Sequence, residues 1–530
     1  MTKIHLEHNS LAELIEQAMI KNAERIAYQC LGESITFKEV EQKSRALACY
    51  LLNVAKLSSG DRVAIQLPNI NQYPIAAFAV LRAGLVLVNT NPMYTSREMQ
   101  HQFTDSGAKA LIILTDLLPK LSDIMKESKI ETVIATSAID MLSPQGLSTA
   151  QVKNHTGGAN VVAFMDIVKN THNEKINRQA INLNHITLIQ YTGGTTGLSK
   201  GAVLTQRNLL SNIEQTSVHL ALNQRTEQAL FVTPLPLYHI YAFLLNLWNF
   251  TQGNNNILIP NPSDIDGFVE SLSAHQITGF CGINTLFSAL CHHKNIEQID
   301  FSKLELTLSG GAALTTNAAQ SWKNLTGCTI SEGYGLSETS PVVSLNPPGQ
   351  EQVGTIGYPL IETEVRICND DGVAVKDGEA GEILVRGPQV MQGYWQQVEE
   401  TSKVLSDDGW LKTGDIAIRQ ADGFLRIVDR KKDMIIVSGF NVYPNEIEDI
   451  LTTHPAIAES AVIGEACEKS GELVSAFVVK HNGQSLTNSE VVAHCRTLLT
   501  AYKVPKKVTF VDTLPKSAIG KVLRKNLRTT

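Results

Sequence analysis

Short apolar runs alternate with helical patterns along most of the chain, from about residue 10 to residue 345. Residues 63–67, 110–114 and 132–135 are aliphatic runs with the length of buried strands, and helical patterns separate them. This alternation predicts an α/β layered domain. We interpret residues 146–185, which are polar and rich in asparagine, as a surface excursion between two halves of that domain.

The pattern changes after about residue 350. Asp-Gly pairs punctuate short β-rich runs such as 382–386 and 424–428, which predicts a small antiparallel β subdomain at about 350–430. Beyond residue 430 the pattern is that of a compact α+β unit. Single hydrophobic cores stop growing near about 250–300 residues, so a chain of 530 residues needs several units. We predict a body at residues 1–430 and a C-terminal domain at 431–530.

The composition excludes several classes of protein. A net charge of −7 argues against a general nucleic-acid binder. The N-terminus carries charges where a signal peptide needs an apolar run, and no stretch reaches the ~18–20 apolar residues of a membrane span. The cysteines form no C-x-x-C pair, which favours the reduced thiols of a cytoplasmic protein over a disulfide framework or a zinc site. They are residues 30, 49, 281, 291, 328, 368, 467 and 495.

A glycine-rich loop, YTGGTTGLSKG, occupies residues 191–201. A strand pattern at 186–190 precedes it, and a helical stripe at 209–213 follows Thr205, a candidate helix cap. Strand, glycine-rich loop and helix together are the usual setting for a polyphosphate. The common NTPase motif has glycine directly before its lysine and Ser or Thr after it, whereas Leu198 and Ser199 precede Lys200 here. The loop therefore indicates a phosphate site of another class, with a flexible surface loop as the alternative.

Four further motifs follow in order: EGYGLSET at 332–339, DGWLKTGD at 408–415, DRKKDMIIVSGFNVYPNEIE at 429–448 and LPKSAIGK at 514–521. Each one alone has an ordinary explanation. Glu338 is a hard oxygen ligand suited to Mg²⁺, or a solvated carboxylate at a helix start. Asp415 suits two ribose hydroxyls, or is a turn aspartate. Arg430 and Lys521 are candidate binding cations, or parts of a solvated charge run and a basic tail.

Taken together and in this order, the five motifs resemble those of the adenylate-forming acyl-CoA synthetases, most of all the bacterial long-chain fatty acyl-CoA synthetases. The resemblance covers nearly the whole chain, including LPLYHIYAF, GINTLF and GPQVMQGYW. It implies an α/β body with a β subdomain and a smaller mobile α+β C-terminal domain. It also implies the chemistry: a fatty acid attacks the α-phosphate of ATP, and coenzyme A then takes the acyl group from the adenylate.

The resemblance assigns roles to individual residues. Lys521 would act in adenylation, His239 would orient the acyl carboxylate, Glu338 would bind Mg²⁺, and Lys432 would be the hinge of the mobile domain. Tyr334 would stack on the adenine with Gly311 and Ala312 along its edge, Asp415 would hold the ribose hydroxyls, and Arg430 would hold a ribose or phosphate oxygen. The other nucleotide-binding residues would be Gly335, Thr339 and, at the phosphates, Thr192, Gly193, Gly194, Thr195, Thr196, Gly197 and Lys200.

The acid is indicated by residues 231–250, which contain no Asp, Glu, Lys or Arg. A buried ammonium group without a partner is costly, so this stretch argues against an amino acid and favours an alkyl chain. Part of the stretch is expected to be core.

Three other functions remain open: an acyl-AMP ligase that serves a carrier protein, a luciferase-like oxygenase, and an inactive fatty-acid-binding regulator. Residues 340–412 leave little room for the insertion that such acyl-AMP ligases often carry.

The expected partners are a fatty acid, ATP and coenzyme A, with Mg²⁺ as cofactor and without nucleic acid. We expect a cytoplasmic protein, and the resemblance is compatible with peripheral association at the inner face of the membrane and with a homodimer.

Overall fold

The computed structural model describes residues 3–142, 149, 160–170, 174–192, 199–220, 227–467, 469–517 and 520–528. Two large sheets, flanked by helices, make up most of the molecule, and two smaller sheets follow them in the chain. The architecture is the predicted α/β body with a β subdomain and a smaller C-terminal unit.

The strands of the first two-thirds of the chain belong mainly to the large sheets. They are β1 (Ile26–Cys30), β2 (Glu33–Thr36), β3 (Arg62–Gln66), β4 (Val86–Asn89), β5 (Ala110–Leu114), β6 (Thr132–Thr136), β7 (Asn160–Ala163), β8 (Ile186–Thr192), β9 (Lys200–Thr205), β10 (Leu230–Thr233), β11 (Asn255–Leu258), β12 (Gly279–Gly282), β13 (Leu306–Ser309), β14 (Ile330–Gly335), β15 (Val342–Leu345) and β16 (Tyr358–Pro359).

The remaining strands are β17 (Glu364–Cys368), β18 (Gly381–Arg386), β19 (Gly393–Tyr394), β20 (Leu411–Arg419), β21 (Leu425–Arg430), β22 (Ile435–Val437), β23 (Phe440–Val442), β24 (Ile457–Cys467), β25 (Gly471–Lys480) and β26 (Lys507–Phe510).

The helices surround these sheets. They are α1 (Leu11–Lys21), α2 (Phe37–Asn53), α3 (Gln72–Arg82), α4 (Ser96–Ser106), α5 (Leu121–Ile124), α6 (Phe164–Val168), α7 (Gln206–Leu220), α8 (Ile240–Thr251), α9 (Ile265–Leu272), α10 (Asn284–Cys291), α11 (Thr316–Thr326), α12 (Val398–Val404), α13 (Pro444–Thr452), α14 (Asn488–Leu498) and α15 (Arg524–Leu527). Short 3₁₀ segments lie at Thr115–Lys120, Asp140–Leu142, Ile296–Gln298 and Ser337–Thr339.

Each large sheet has a parallel centre, with antiparallel pairs at one edge of the first sheet and at both edges of the second. One has the order β19-β9-β8-β4-β3-β5-β6-β7, and the other β16-β15-β14-β13-β12-β10-β11-β1-β2. Strands β3, β5 and β6 are the three predicted from aliphatic runs, and they pair in parallel at the centre of the first sheet. Thr205 caps α7, since its hydroxyl accepts a hydrogen bond from the Asn208 N–H at 3.3 Å. These predictions are confirmed.

The prediction of a surface excursion at 146–185 is wrong for part of that range. Within it, β7 pairs in parallel with β6, and Phe164 of α6 is fully buried. The strand is only four residues long and polar residues surround it, so no periodic pattern distinguished it from a loop. Tertiary pairing with β6, and not local propensity, brings this segment into the sheet.

The two smaller sheets match the predicted hairpins and α+β unit. Strands β17, β18, β20 and β21 form an antiparallel sheet. From β22 onwards the chain packs around its own core, which includes Ile435, Leu451, Val474 and Cys495. We call residues 435–528 the C-terminal lobe and residues 3–430 the body. Residues 431–434 form the turn that joins them.

None of the helices in the described ranges is both long enough and apolar enough to cross a bilayer. All eight cysteines are free thiols.

Candidate active site

A cavity of about 1550 Å³ lies between the body and the C-terminal lobe. Its body wall includes the ends of β8, β13 and β14 and the start of α8. Its lobe wall is formed by the segment around Lys521 and by the start of α15. Ligands of open α/β sheets commonly bind at the carboxyl ends of the strands, which is where this cavity opens.

Tyr334 and Arg430 line one end of the cavity, and both contact Asp415, a third predicted nucleotide residue, which does not itself line it. The Tyr334 hydroxyl donates a hydrogen bond to Asp415 Oδ2 at 2.6 Å, and Arg430 Nε lies 2.8 Å from Asp415 Oδ1. The Asp415 side chain is 4% exposed and that of Arg430 is 34% exposed. Burial, followed by the charge of Asp415, raises the pKa of Tyr334 well above its usual value, so the phenol stays a donor. The arrangement presents an aromatic ring, a carboxylate and a cation together.

Strand register explains why these residues meet. Asp415 on β20 and Arg430 on β21 are direct antiparallel partners, so their side chains share one face of the sheet. Tyr334 lies near the end of β14, where the strand bulges against β15. The following residue has to be glycine, because a Cβ on Gly335 would lie 1.9 Å from the carbonyl oxygen of Pro341.

Lys521 and His239 reach the same cavity from opposite walls. Burial, with further repulsion from Arg430, lowers the pKa of Lys521 to about 8. Burial, and then the positive charge of Lys521, lowers the pKa of His239 to about 4. His239 is therefore neutral near pH 7, and its Nδ1 accepts a hydrogen bond from the Tyr241 N–H at 3.4 Å at the start of α8.

A tight turn carries Lys521 into the cavity. The Ser517 N–H donates to the Lys521 carbonyl at 2.8 Å, and the Gly520 N–H donates to the Ser517 carbonyl at 2.8 Å. Gly520 has a φ of 73°, and a Cβ there would lie 2.4 Å from Ile283 Cδ1 and 2.8 Å from Thr285 Oγ1 of the body. The turn that holds Lys521 thus rests directly on the body.

The predicted phosphate residues lie at the other end of the cavity. Thr192, Lys200 and Glu338 all line it. Tyr394 connects two of them, since its hydroxyl donates to Glu338 Oε1 at 2.8 Å and its ring lies 5.2 Å from Lys200 Nζ. The loop residues Gly193, Gly194, Thr195, Thr196 and Gly197 lie outside the described residues.

Not every predicted residue reaches the cavity. Thr339 is fully buried, and its hydroxyl holds the turn by bonds with the N–H and carbonyl of Leu336, so its expected contact with nucleotide is not supported by its position. Ser337 lines the cavity in its place, and Gly310 and Gly311 line it while Ala312 does not. The sequence offered two hydroxyl residues flanking Glu338, and only the 3₁₀ turn at Ser337–Thr339 decides which one faces inwards.

Tyr394 is a cavity residue that was not predicted from the sequence. This residue lies in the GPQVMQGYW motif, on β19, which pairs with β9 at Ala202. The pairing places its ring beside Lys200. The signal was an aromatic residue next to glycine, but nothing local connected it to a lysine almost two hundred positions earlier in the chain.

Lys432 lines the cavity from the turn that joins the body and the lobe. The N–H groups of Asp433 and Met434 both donate to the Arg430 carbonyl, at 2.9 and 3.1 Å. The turn is therefore short and local, as a hinge requires.

The uncharged stretch 231–250 divides between the cavity and the core. Tyr238, His239, Ile240, Tyr241 and Leu245 line the cavity, whereas Phe243, Leu247 and Phe250 are fully buried. The apolar wall of the cavity continues with Leu308, Val342 and Leu345.

Comparisons with known proteins agree with this geometry. Residues 15–395 match the model of the AMP-binding enzyme family, and residues 446–521 match that of the AMP-binding enzyme C-terminal domain. A long-chain-fatty-acid–CoA ligase from Yersinia pestis is 46% identical over 532 residues, which cover 98% of this chain and 94% of that protein. A protein of the same description from Haemophilus influenzae is 43% identical, covering 98% and 95%.

Among solved structures, the fold resembles ATP-bound MatB from Rhodopseudomonas palustris, with a TM-score of 0.86 and 28% identity over 98% of this chain and 99% of that one. The apo structure of the same protein gives a TM-score of 0.76. The whole chain therefore superposes more closely on the ATP-bound form. With family models matching both parts and relatives covering its full length, the chain belongs to the AMP-binding enzyme family, the adenylate-forming enzymes that its motifs resemble.

Proposed function

We propose that this protein is a long-chain fatty acid–CoA ligase, which converts a fatty acid, ATP and coenzyme A into acyl-CoA, AMP and pyrophosphate. The observation that carries the proposal is the cavity in which Lys521 of the lobe meets Tyr334 and Arg430 of the body, both of which bind Asp415 behind the cavity wall. Full-length similarity to ligases of this description supports the same activity. No oxygenase or carrier-directed activity is better supported.

In the first step the carboxylate attacks the α-phosphate, and pyrophosphate leaves. Asp415 accepts the ribose hydroxyls, with Arg430 beside it, and the Tyr334 ring stacks on the adenine. Thr192 and Lys200 contact the leaving phosphates. Lys521 places its ammonium where the acyl carboxylate and the α-phosphate approach each other, and charge placed in advance at such a point is the main way an enzyme lowers this kind of barrier.

His239 acts on the acid and not as a proton carrier. Its pKa of about 4 keeps the ring neutral near pH 7, so it orients the carboxylate by hydrogen bonding. A charged imidazole at this point would compete with Lys521 for the same carboxylate. Burial between α8 and the lobe therefore separates the roles of the two groups.

Glu338 fits the Mg²⁺ that the reaction requires. It presents a carboxylate at the phosphate end of the cavity, and oxygen ligands are those that Mg²⁺ prefers. Within the described ranges no group of three or more His, Cys, Asp or Glu side chains could enclose a metal. Bound at Glu338, Mg²⁺ would neutralise phosphate charge.

We place the division between body and mobile lobe at residues 430 and 431, with Lys432 as the hinge. The arrangement described here, with Lys521 inside the cavity, is the one that makes the adenylate. Rotation about Lys432 would withdraw Lys521 and admit coenzyme A for the second step. Similarity to an ATP-bound structure over the apo form of the same protein supports this assignment.

The acyl group lies along the apolar wall of the cavity. Ile240, Leu245, Val342 and Leu345 offer no charged partner, and each methylene buried there contributes roughly 0.8 kcal/mol.

We place the enzyme in the cytoplasm, where ATP and coenzyme A are available. Peripheral association with a membrane and a homodimer remain predictions.

The test is pyrophosphate release and thioester formation across unbranched acids from butanoate to octadecanoate, with and without coenzyme A. We expect kcat/KM to rise from hexanoate to at least dodecanoate and then to level off. Adenylate that forms but is not transferred to coenzyme A would point to the carrier-directed alternative. A preference for acetate, benzoate or an amino acid would overturn the fatty-acid assignment.

Glu338→Ala tests the metal assignment separately. The folded variant should lose adenylation, because the position for Mg²⁺ is removed while the fold is not. Thermal unfolding run in parallel shows whether the protein is intact, and near-normal adenylation would contradict the role.

A further inference from the structure

Lys200 is paired with a carboxylate that no motif pointed to. Its ammonium contacts Glu400 of α12, and the same carboxylate also contacts Lys403 one turn further along. Lys200 and Lys403 both line the cavity, whereas Glu400 lies behind them. The side chains of Lys200 and Glu400 are 33% and 32% exposed, so water and ligands can reach the pair.

The pair lies beside the predicted metal carboxylate. Tyr394 lies under the Lys200 ammonium and donates its hydroxyl to Glu338, so both carboxylates are grouped around one lysine and one phenol. Triphosphate oxygens that enter this end of the cavity approach the Glu338 carboxylate, which lines it, and compete with the Glu400 carboxylate, which holds Lys200 from behind. Mg²⁺ bound at Glu338 would offset the charge of that carboxylate, and Lys403 stays beside Glu400 when Lys200 turns to phosphate.

We propose that Glu400 is a counter-ion that holds Lys200 between turnovers and competes with the phosphates of ATP and pyrophosphate for its ammonium. This inference rests on the proposed function, in which Lys200 contacts the leaving phosphates. Binding of ATP draws Lys200 away from Glu400, and departure of pyrophosphate returns it. Glu400 therefore weakens the binding of both polyphosphates and assists the release of the second.

The charge on Glu400 is constant under working conditions. Contact with Lys200, and then with Lys403, lowers the pKa of Glu400 to about 2, so the carboxylate is ionised throughout the physiological range. Glu400 itself therefore adds no pH dependence to this competition above about 4, and salt should weaken the competition because the pair is partly exposed. Glu400 therefore does not act as a pH-sensitive switch.

The deciding variant is Glu400→Gln, which keeps the size of the side chain and removes its charge. We expect KM for ATP and the inhibition constant of pyrophosphate to fall together by about three- to tenfold, with kcat within about twofold of wild type. Glu399→Gln is the matched control: it removes one negative charge from the neighbouring helix position and should leave both constants unchanged. Glu400→Asp should retain most of the wild-type values.

An unchanged or higher KM for ATP in Glu400→Gln would overturn the proposal, because a carboxylate that merely positions Lys200 predicts weaker binding once it is lost. Equal effects of Glu399→Gln and Glu400→Gln would also overturn it, since they would reflect general charge only. Lys200→Met tests the underlying function independently. If this variant binds ATP normally, the phosphate role of Lys200 fails; if it binds poorly while Glu400→Gln is unchanged, only the counter-ion role fails.

Discussion

The two walls of the cavity are stabilised in different ways. On the body wall, Tyr334, Asp415 and Arg430 are joined by short hydrogen bonds, and strand register fixes two of them. On the lobe wall, Lys521 is carried by a turn in which Gly520 lies close to Ile283 and Thr285 of the body. The ribose end is therefore complete within the body, whereas the reactive ammonium depends on where the lobe is.

Two neighbouring cations of the lobe, Arg524 and Lys521, differ in a similar way: within the described residues, one is paired with carboxylates and the other is not held by an ion pair of this kind. Arg524 lies three positions beyond Lys521 and contacts Glu448 at 2.7 Å, with Asp429 and Asp433 within 3.6 Å. The nearby carboxylates outweigh the effect of burial and raise its pKa. Burial and the repulsion from Arg430 instead lower the pKa of Lys521. Arg524 stabilises the closed arrangement, and Lys521 carries charge that is balanced only when phosphate and carboxylate arrive.

The largest expected effect is that of Lys521→Ala. Removing a charge positioned for the reacting oxygens typically costs about 3 kcal/mol or more, so adenylate formation should fall at least about a hundredfold. Conversion of supplied acyl-adenylate and coenzyme A should continue near the normal rate, because Lys521 is then away from the reacting atoms. Single-turnover assays of the two half-reactions measure both rates.

Lys516→Ala is the matched control for this variant. Lys516 belongs to the same basic segment but pairs with Glu459 at 2.8 Å on the lobe, so its loss should leave both half-reactions nearly unchanged. An adenylation rate of Lys521→Ala within about threefold of wild type would end the catalytic assignment.

Lys432→Pro should have the opposite effect to Lys521→Ala: it should impair thioester formation and spare adenylation. Proline fixes φ near about −65° and limits rotation at the turn, so thioester formation should fall by at least about twentyfold while adenylation is retained. The two half-reactions are again measured separately, with Lys432→Ala as the control for loss of the side chain. Equal loss of both half-reactions in the proline variant would refute the hinge.

Between pH 7 and 9, the pH dependence of adenylation should reflect the titration of Lys521 on the lobe wall and of no group on the body wall. With a pKa of about 8, Lys521 is mostly charged at pH 7 and mostly neutral at pH 9, so kcat/KM for ATP should fall about tenfold over that interval. His239 is already neutral there and adds no step. Thioester formation should not fall, since the thiol of coenzyme A becomes more ionised as the pH rises.

Lys521→Arg serves as the control for this profile, because its guanidinium stays charged across the interval. Whatever activity it retains should be independent of pH from about 7 to 9. A parallel decline in this variant would show that another group titrates.

The sequence predicted those parts of the fold in which a local pattern and the tertiary environment agree. Strands β3, β5 and β6 are aliphatic because neighbouring strands and helices bury both faces, so their pattern was readable. Strand β7 pairs in the same sheet, but its four residues lie between polar segments and gave no periodic signal. Its place is decided by pairing with β6, which the local sequence does not record.

The candidate site divides in the same way. Tyr334, Asp415, Arg430 and Lys521 each belong to a distinctive motif. The structure brings Tyr334, Arg430 and Lys521 to one cavity, and Asp415 lies just behind the first two. Choosing Ser337 over Thr339 required the conformation of a single 3₁₀ turn. Recognising Glu400 required knowing that β9 pairs with β19 just before α12, since nothing in its own segment distinguishes it from a solvated helix carboxylate.

The smallest expected effect is that of Gly520→Ala, which tests whether adenylation requires the close contact between Gly520 of the lobe and Ile283 of the body. In the closed arrangement a methyl group on Gly520 would meet Ile283 Cδ1 at 2.4 Å, and the positive φ adds strain for any residue with a Cβ. Ile283 can yield because the atom is the end of a flexible side chain, so Gly520→Ala should slow adenylation only about fivefold. The thioester step, made with the lobe rotated away, should not change.

A double variant separates contact from strain. Replacing Ile283 with valine in the Gly520→Ala background removes the methyl group that the new Cβ meets, and should restore part of the adenylation rate. Strain at Gly520 alone would persist in the double variant and would lower the stability of the lobe in both half-reactions. Restoration confined to adenylation would locate the effect at the contact between lobe and body. No restoration, or equal losses in the two steps, would show that Gly520 serves the turn and not the closure that places Lys521.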